Sequence, residues 1–310
     1  MAQVLVTGAA GFVGAAVIRH LRAAGRDAVA GTRRGGTLHG GPGTAIDVTD
    51  RASCDQAVRG MDAIIHCAVG DAAVTLGGTQ TLLAAARAAG VRRVVHFSSI
   101  AVYGAADGTV TEDTPAPATL RGYAAWKQQA EAACGTETVR LRPSIIYGPG
   151  ATLFIDKLLA RMRAGRWGLF GADADGLCNP VHVDDVARAA YLALDADAGG
   201  QAFNIDAGTP LTWNAWFQHL ADQAGLTLVD VPAGRIRAWC RAAVPAKALA
   251  RVMPAFRPML AHALLAPAGS ECALYRLHAT YPADRARATL GWQPLVPLET
   301  GIAQAVAACR

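Results

Sequence analysis

The sequence is poor in lysine and in charged residues generally. Only 3 of its 310 residues are lysine, and charged residues make up 17%, below the roughly 25% of average soluble domains. Hydrophobic residues make up 52%, which excludes an intrinsically disordered chain. The net charge is +5, and no run of basic residues is longer than two. This charge pattern argues against a nucleic-acid-binding surface.

Paired cysteines and long uninterrupted apolar runs are also missing. The seven cysteines contain no CxxC or other close pair, and their number is odd. This disfavours a zinc site and a disulfide framework, and favours a reducing compartment. The most apolar late stretch, 252–269, is interrupted by Arg257, His262 and three prolines, and no signal-peptide pattern precedes the first strand. We therefore expect a cytoplasmic protein with no metal site and no integral membrane segment.

Short β-branched runs alternate with alanine-rich helical stretches over the first two thirds of the chain. Strands are predicted at 4–7, 28–31, 63–67, 93–98 and 139–142, and helices at 13–24, 79–89 and 123–134. This alternation predicts an α/β fold with a doubly wound parallel sheet. It also predicts that the sheet is buried on both faces.

The composition changes after about residue 150, where tryptophan and proline become denser. We interpret this part as a smaller C-terminal lobe that covers one edge of the sheet. The predicted core of the sheet is 1–150, completed by roughly 181–206, with extra sheet strands at 181–183 and 203–205; the motifs below assign a cofactor to this core and a substrate to the lobe. The segments 151–180 and 207–310 form most of the lobe, and 232–270 is expected to be irregular.

A glycine-rich loop directly follows the first predicted strand and directly precedes the first predicted helix. Its glycines are Gly8, Gly11 and Gly14. They permit a tight turn and a close backbone approach, and the helix start then presents free N–H groups to a pyrophosphate. In this context the spacing predicts a dinucleotide-binding loop.

The residues after the second predicted strand indicate which dinucleotide binds. NAD-preferring sites carry an acidic residue there to hold the ribose hydroxyls. Here the positions are Thr32, Arg33 and Arg34, while Asp27 lies before the strand. Because a guanidinium suits a 2′-phosphate in charge and geometry, we predict NADP in preference to NAD. Two solvated loop arginines are the alternative.

Tyr123 and Lys127 are four residues apart on one face of a predicted helix. A free tyrosine has a pKa near 10, and a nearby ammonium lowers it. The phenol can then exchange a proton with a substrate oxygen while hydride moves at carbon. Ser98 and Ser99 end a predicted strand at the edge where open sheets bind ligands, and either can bind a substrate carbonyl or cap a turn.

Together these motifs resemble the extended short-chain dehydrogenase/reductases, the NAD(P)-dependent epimerase/dehydratase-type superfamily. Matching segments occur in order along nearly the whole chain: TGAAGFVG at 7–14, FSSIAVYG at 97–104, YAAWK at 123–127, RPSIIYGPG at 142–150, HVDDVA at 182–187 and LGWQP at 290–294. The resemblance implies a Rossmann fold and an oxidoreductase. It also selects Ser99 over Ser98 as the catalytic serine, beside Tyr123 and Lys127.

The resemblance implies further site residues. Cofactor contacts besides the glycines, the two arginines and Lys127 are expected from Phe12, Val13, Asp47, Val48, Cys67, Ala68, Pro143 and Ile146. Substrate contacts are expected from Val69, Ser99, Ile145 and Tyr147. His66 is expected to pack at a strand end, and His182 with Asp184 and Asp185 to cap a helix rather than bind a metal.

Departures from the family pattern bear on the substrate. Thr75 stands where the family often has asparagine, and Ile145 stands where sugar-nucleotide enzymes often have one. This resembles the hydroxysteroid dehydrogenase and dihydroflavonol reductase branch. The expected activity interconverts a carbonyl and a secondary alcohol on a small, apolar substrate with NADP(H). The alternatives are a nucleotide-sugar epimerase that retains its cofactor and a non-catalytic cofactor sensor. A homodimer is a family expectation.

The stretch 235–265 combines arginines with aliphatic residues. We interpret it as a mobile lid over an apolar substrate. Contact with an anionic membrane surface, a grip on a diphosphate and a plain structural role are the alternatives.

Overall fold

The strands follow the predicted alternation. In the computed structural model, which describes residues 3–256 and 259–309, the strands are β1 (Gln3–Thr7), β2 (Asp27–Thr32), β3 (Gly43–Ala45), β4 (Ala63–His66), β5 (Arg93–Phe97), β6 (Gly108–Thr109), β7 (Thr138–Pro143), β8 (Ile145–Tyr147), β9 (Leu177–Cys178), β10 (Pro180–His182), β11 (Ala202–Ile205), β12 (Leu211–Thr212) and β13 (Ala279–Thr280). All five strands predicted in the first half are present, and no end is shifted by more than one residue.

The helices alternate with these strands and then dominate the last third of the chain. They are α1 (Phe12–Ala23), α2 (Arg51–Ala57), α3 (Thr79–Ala88), α4 (Gly122–Ala132), α5 (Lys157–Arg163), α6 (Val183–Asp195), α7 (Trp213–Ala224), α8 (Arg235–Ala242), α9 (Val244–Val252), α10 (Ala261–Leu264), α11 (Gly269–Leu274), α12 (Asp284–Leu290) and α13 (Leu298–Ala307). A π-helical turn (Ala73–Gly78) leads into α3, and a 3-10 turn (Ile100–Tyr103) follows β5.

Seven strands form one parallel sheet in the order β11-β7-β5-β4-β1-β2-β3. Alternate side chains of each strand enter different cores. Val6 and Ile65 pack on one face with α1 and α6, whereas Leu5 and Ile64 pack on the other with α2 and α3. Burial on both faces explains the continuous apolar runs of these strands. The predicted doubly wound Rossmann fold is confirmed.

A second apolar core lies in the C-terminal part of the chain. Aromatic rings supply much of it, and Trp167 makes edge contacts with Phe170, Phe217 and Tyr275. The Arg161 guanidinium lies 4.5 Å from the centre of the Trp167 ring. Trp167, Trp213 and Trp216 are all buried in this core, so it contains three of the tryptophans of this part.

Two predictions about this half are wrong. The strand expected at 181–183 does not join the main sheet, because β10 pairs with β8 in a separate two-stranded parallel sheet. The segment 232–270 is not irregular, since it contains α8, α9 and α10. The strand expected at 203–205 does join the main sheet, as β11 at its edge.

Candidate active site

The glycine loop turns tightly at the carboxyl end of β1. Gly8 has φ of +67°, and the Gly11 N–H donates to its carbonyl oxygen at 2.9 Å. A Cβ at Gly8 would lie 2.8 Å from the amide nitrogen of Ala68, and one at Gly14 would lie 2.2 Å from the Gly8 oxygen. Both positions therefore require glycine. The loop lies directly against Cys67 and Ala68, as the predicted site requires.

The start of α1 fits the phosphates of a dinucleotide. Gly11 caps the helix without a side-chain hydrogen bond, and its first turn, which begins with Phe12 and Val13, has no acidic residue. The N–H groups of a first helical turn have no partner within the helix, and the positive end of the helix dipole favours an anion. The backbone therefore offers donors where the sequence predicts the pyrophosphate.

Arg33 and Arg34 are exposed and follow β2 directly. Asp47 follows β3, and its Oδ1 accepts hydrogen bonds from the backbone N–H and the hydroxyl of Thr49 at 2.9 and 2.7 Å. These hydrogen bonds, with a smaller contribution from Arg33, hold the pKa of the Asp47 carboxyl below its usual range. Val48 is buried, and a Cβ at Gly78 would lie 2.6 Å from its Cγ2.

Ser99 and Tyr123 meet at the carboxyl end of β5. Ser99 caps the 3-10 turn, and its Oγ accepts the Ala101 N–H at 3.1 Å. Tyr123 lies in the first turn of α4, is 41% exposed and lies near enough to the Ser99 side chain for the serine to affect its pKa. Desolvation raises the pKa of Tyr123, and the Ser99 hydroxyl acts in the opposite direction.

Lys127 lies one turn further along α4 and is almost fully buried. Its Nζ donates to the Phe97 carbonyl oxygen at 2.5 Å and lies 5.9 Å from the centre of the Tyr123 ring. Burial lowers the pKa of Lys127 to about 8, so the ammonium keeps its charge at neutral pH. In this arrangement the ammonium is directed at the end of β5 rather than at the Tyr123 oxygen.

A buried ion pair fixes α4 on the sheet. Arg142 of β7 donates from Nε and Nη2 to the two carboxylate oxygens of Glu131 at 2.8 and 2.5 Å. Its Nη1 donates to the Tyr103 hydroxyl, which donates to Asn204 of β11. Paired two-point contacts of this kind orient both side chains. The helix that carries Tyr123 is thus tied to two strands and to the 3-10 turn.

A hydroxyl–imidazole chain, which the motifs did not indicate, lies beside the glycine loop. Thr79 donates its hydroxyl to the Thr75 carbonyl oxygen at 2.7 Å, so its oxygen accepts from Nε2–H of His66 at 2.9 Å. His66 Nδ1 then accepts the Thr7 hydroxyl at 2.7 Å. Burial lowers the pKa of His66 to about 3, which agrees with this neutral tautomer. His66 thus packs at its strand end, as predicted.

Thr75 closes the loop that precedes α3. Its hydroxyl donates to the Gly70 carbonyl oxygen and accepts the Gly70 N–H, both at 3.0 Å. Where the family often has asparagine, this chain therefore has a threonine whose hydroxyl is used up in contacts with Gly70 inside the loop. The sequence marks Thr75 only as a departure from the family pattern. The role of Thr79 depends on contacts between β4 and α3, which motif spacing does not show.

The remaining predicted residues are dispersed. Pro143 ends β7 and is buried, Ile146 is half-buried, and Val69 is 57% exposed after β4. Ile145 and Tyr147 are buried in the C-terminal core.

Tyr147 faces away from the Ser99 group. Its ring lies edge-on to His182 and Trp216, each at 5.3 Å. It borders a cavity of about 240 Å³ whose lining includes Thr209 and Leu295 but neither Ser99 nor Tyr123.

The residues considered for a metal have other partners. His182 Nδ1 accepts the Asp184 N–H at 3.3 Å and caps α6. The Asp185 carboxylate accepts the N–H groups of Leu295 and Val296 at 2.8 and 3.2 Å. These contacts agree with the predicted capping role.

The sequence profile of the NAD dependent epimerase/dehydratase family matches residues 4–206. The chain belongs to this family. It is an oxidoreductase enzyme of the extended short-chain dehydrogenase/reductase type, as predicted.

Relatives of full length carry different activities in their names. The chain is 29% identical to a 2-alkyl-3-oxoalkanoate reductase of Stenotrophomonas maltophilia, with 97% of each chain covered. It is 27% identical to a 3 beta-hydroxysteroid dehydrogenase/Delta 5-->4-isomerase of Mycobacterium tuberculosis, with 98% of this chain and 89% of the relative covered. Among solved structures, MoeE5 in complex with UDP-glucose and NAD is 26% identical, with a TM-score of 0.74 and coverage of 99% and 98%.

Proposed function

We propose that the protein interconverts a carbonyl and a secondary alcohol on a small, apolar substrate with NADP(H). The observation that supports this most strongly is the convergence of Ser99, Tyr123 and Lys127 at the carboxyl end of β5. In an open parallel sheet, ligands bind outside the carboxyl ends of the strands. The glycine loop follows β1 at the same edge of the sheet, and β4 lies between β1 and β5.

The proposed reaction combines hydride transfer to carbon with proton transfer to oxygen. When bound, the reduced nicotinamide supplies hydride to the carbonyl carbon. Tyr123 donates its phenolic proton to the carbonyl oxygen, and Ser99 donates a hydrogen bond to the same oxygen. Lys127 is charged at neutral pH, and it would favour the phenolate that remains once its ammonium turns from the Phe97 carbonyl oxygen toward the phenolic oxygen. Oxidation of the alcohol reverses each transfer.

The proposed preference for NADP rests on the end of β2. Arg33 and Arg34 are both exposed there, and no carboxylate ends this strand. Two guanidinium groups suit the 2′-phosphate of NADP. The family as a whole is described by its dependence on NAD, so the preference is a property to be measured on this chain.

The proposed substrate class rests on apolar side chains. Isoleucine stands at position 145, where sugar-nucleotide enzymes often have asparagine, although Ile145 is buried in the C-terminal core. Val69 is exposed after β4, and the two relatives above are named for ketone and sterol chemistry. The second candidate is a nucleotide-sugar epimerase with a retained cofactor, which the solved complex with UDP-glucose favours. A non-catalytic sensor is a weaker candidate because Ser99, Tyr123 and Lys127 are all present.

The division of the chain is also a proposal. The cofactor core would be 1–150 with 181–206, and the substrate lobe 151–180 with 207–310, which agrees with two separate apolar cores. Residues cross this division in both directions: α12 and Trp292 pack on the first core, whereas Ile145 and Tyr147 pack on the second. A homodimer and a cytoplasmic location stay predictions.

The first experiment is to denature freshly purified protein and quantify any released nicotinamide cofactor. We expect little bound cofactor, tighter binding of NADPH than of NADH, and activity on members of a ketone panel. The Tyr123→Phe variant should bind NADPH normally and lose about a hundredfold or more in kcat. Near-stoichiometric bound NAD would instead favour the epimerase.

A further inference from the structure

The surface of α9 is apolar where it faces solvent. Its positions 244, 248 and 252 are spaced by four residues, as are 245 and 249, so they share one face. The side chains are Val244, Pro245, Ala248, Leu249 and Val252, and all five are exposed. An ordinary surface helix of a globular protein turns its apolar stripe inward. This helix presents the stripe outward.

Contacts on the inner side of α9 hold the helix in this orientation. Ala243 and Ala250 are buried on that side. Lys247 also points inward, and its Nζ donates to the carbonyl oxygens of Ala266 and Pro267 at 2.6 and 2.9 Å. A charged group bonded beneath the helix is costly to release, so the apolar face stays outward.

Further exposed apolar side chains follow α9 along the chain. Met253 and Met259 are 46% and 73% exposed, and Val252 is 80% exposed. Flexible methionine and aliphatic side chains adapt to irregular apolar surroundings. We call the exposed side chains of 244, 245, 248, 249, 252, 253 and 259 the α9 face.

The charges within the segment between Asp230 and Glu271, which carries the α9 face, have one sign. The stretch 231–270 contains no aspartate or glutamate and six basic residues. Arg235, Arg241 and Arg251 are exposed among them. An apolar surface edged by arginine is the pattern of protein surfaces that lie on anionic bilayers. A second copy fits poorly, because self-association would bring two acid-free basic surfaces together.

We propose that the α9 face docks on an anionic lipid bilayer. The apolar side chains enter the boundary between headgroups and acyl chains, and the arginines contact the lipid phosphates. The contact is peripheral: no helix in 3–256 or 259–309 has the length and apolarity to cross a bilayer. The proposal does not depend on the reductase assignment, so either can fail alone.

The test measures partitioning of the whole protein onto vesicles of phosphatidylcholine, with and without phosphatidylglycerol, by co-sedimentation. We expect binding only with the anionic lipid, and a decrease as salt rises. Leu249→Asp/Val252→Asp should reduce partitioning about tenfold or more. Leu153→Asp is the matched control, since Leu153 is an exposed leucine outside the α9 face, and it should bind like the unaltered protein.

A charge variant provides an independent arm. Arg235→Ser/Arg241→Ser/Arg251→Ser keeps the apolar side chains and should weaken binding and flatten its salt dependence. Thermal unfolding of each variant verifies folding. Absence of binding by the unaltered protein, or equal binding by Leu249→Asp/Val252→Asp, overturns the proposal. Absence of binding together with a dimer that this variant dissociates assigns the face to a second copy instead.

Discussion

The His66 ring stacks on the His96 ring with centroids 5.5 Å apart, although only one of the two is hydrogen-bonded. His66 bonds to Thr7 and Thr79 through its two nitrogens. Neither ring nitrogen of His96 has a hydrogen-bond partner in the described part of the chain, and the residue is buried. Two neighbouring histidines of adjacent strands therefore make opposite contributions to stability.

Replacing each histidine with leucine tests this difference. His96→Leu removes an unpartnered polar group and should raise the free energy of unfolding by about 1 kcal/mol at neutral pH. His66→Leu leaves the buried Thr7 hydroxyl without its acceptor, while Thr79 keeps its bond to the Thr75 carbonyl oxygen, and should lower it by about 2 kcal/mol. Urea unfolding followed by circular dichroism measures both. A loss of stability in both variants would contradict the assigned roles.

The same pair predicts how acid acts on the fold. Burial lowers the pKa of both histidines, that of His66 to about 3. The unfolded chain then binds protons that the folded chain does not, so stability falls as pH falls below about 6.5. His96→Leu should lose less stability than the unaltered protein between about pH 7 and about pH 5. An identical loss would show that His96 is not neutral in the fold.

Gly14 and Gly77 provide a matched pair of helical glycines. A Cβ at Gly14 would lie 2.2 Å from the Gly8 oxygen, whereas one at Gly77 would meet nothing within 4 Å. Gly14→Ala should lower the free energy of unfolding by about 2 kcal/mol through overpacking and weaken NADPH binding. Gly77→Ala should be neutral or stabilising by up to about 1 kcal/mol. An equal change in the free energy of unfolding for both variants would show that the backbone at Gly8 can move away from a Cβ at position 14.

The fold of the first half could be predicted because its local patterns agree with one another. The run 4–7, the glycine loop and the helix pattern at 13–24 all require the same strand–turn–helix unit, and the structure has Gln3–Thr7 and Phe12–Ala23. Hydrogen-bond partners were harder to predict from the sequence. The Phe97 carbonyl that binds Lys127 and the hydroxyls on His66 depend on packing between elements, which motif spacing does not encode.

The C-terminal half shows where pattern reading fails. In α9 the outward residues are valine and leucine and the inward ones are alanine and Lys247, so the usual amphipathic signal is inverted and the segment appeared irregular. The strand at 181–183 was recognised as extended but assigned to the wrong sheet. Its partner is β8. Ser144 separates β8 from β7, and the Ser144 N–H donates to the Ile205 carbonyl oxygen at the end of the main sheet.

Ser98 and Ser99 separate a catalytic role from a structural one. The Ser99 hydroxyl lies near enough to Tyr123 to affect its pKa, whereas the Ser98 hydroxyl is buried without a partner in the described residues. Ser99→Ala should lower kcat about a hundredfold, and Ser98→Ala should leave kcat within about twofold. Steady-state rates with NADPH and a ketone from the panel measure both. A larger loss in Ser98→Ala would reverse the assignment.

The pH profile of alcohol oxidation gives a second readout for Ser99. Desolvation raises the pKa of Tyr123 and the Ser99 hydroxyl opposes this rise. The proposed base in this direction is the phenolate. Activity should therefore rise with pH as Tyr123 loses its proton, and Ser99→Ala should move this rise to higher pH. A reduced rate with an unmoved profile would mean that Ser99 contacts only the substrate.

Arg33 tests the proposed cofactor preference. Arg33→Ser should weaken NADPH binding about tenfold, because an arginine–phosphate hydrogen bond is charge-assisted, and should leave NADH binding within about twofold. Arg59→Ser is the control, since Arg59 is also exposed but lies outside the predicted cofactor site. Fluorescence titration of both cofactors measures the dissociation constants. An equal loss for NADPH and NADH would mean that Arg33 binds a group common to both cofactors, and the preference for NADP would then lose its basis at the end of β2.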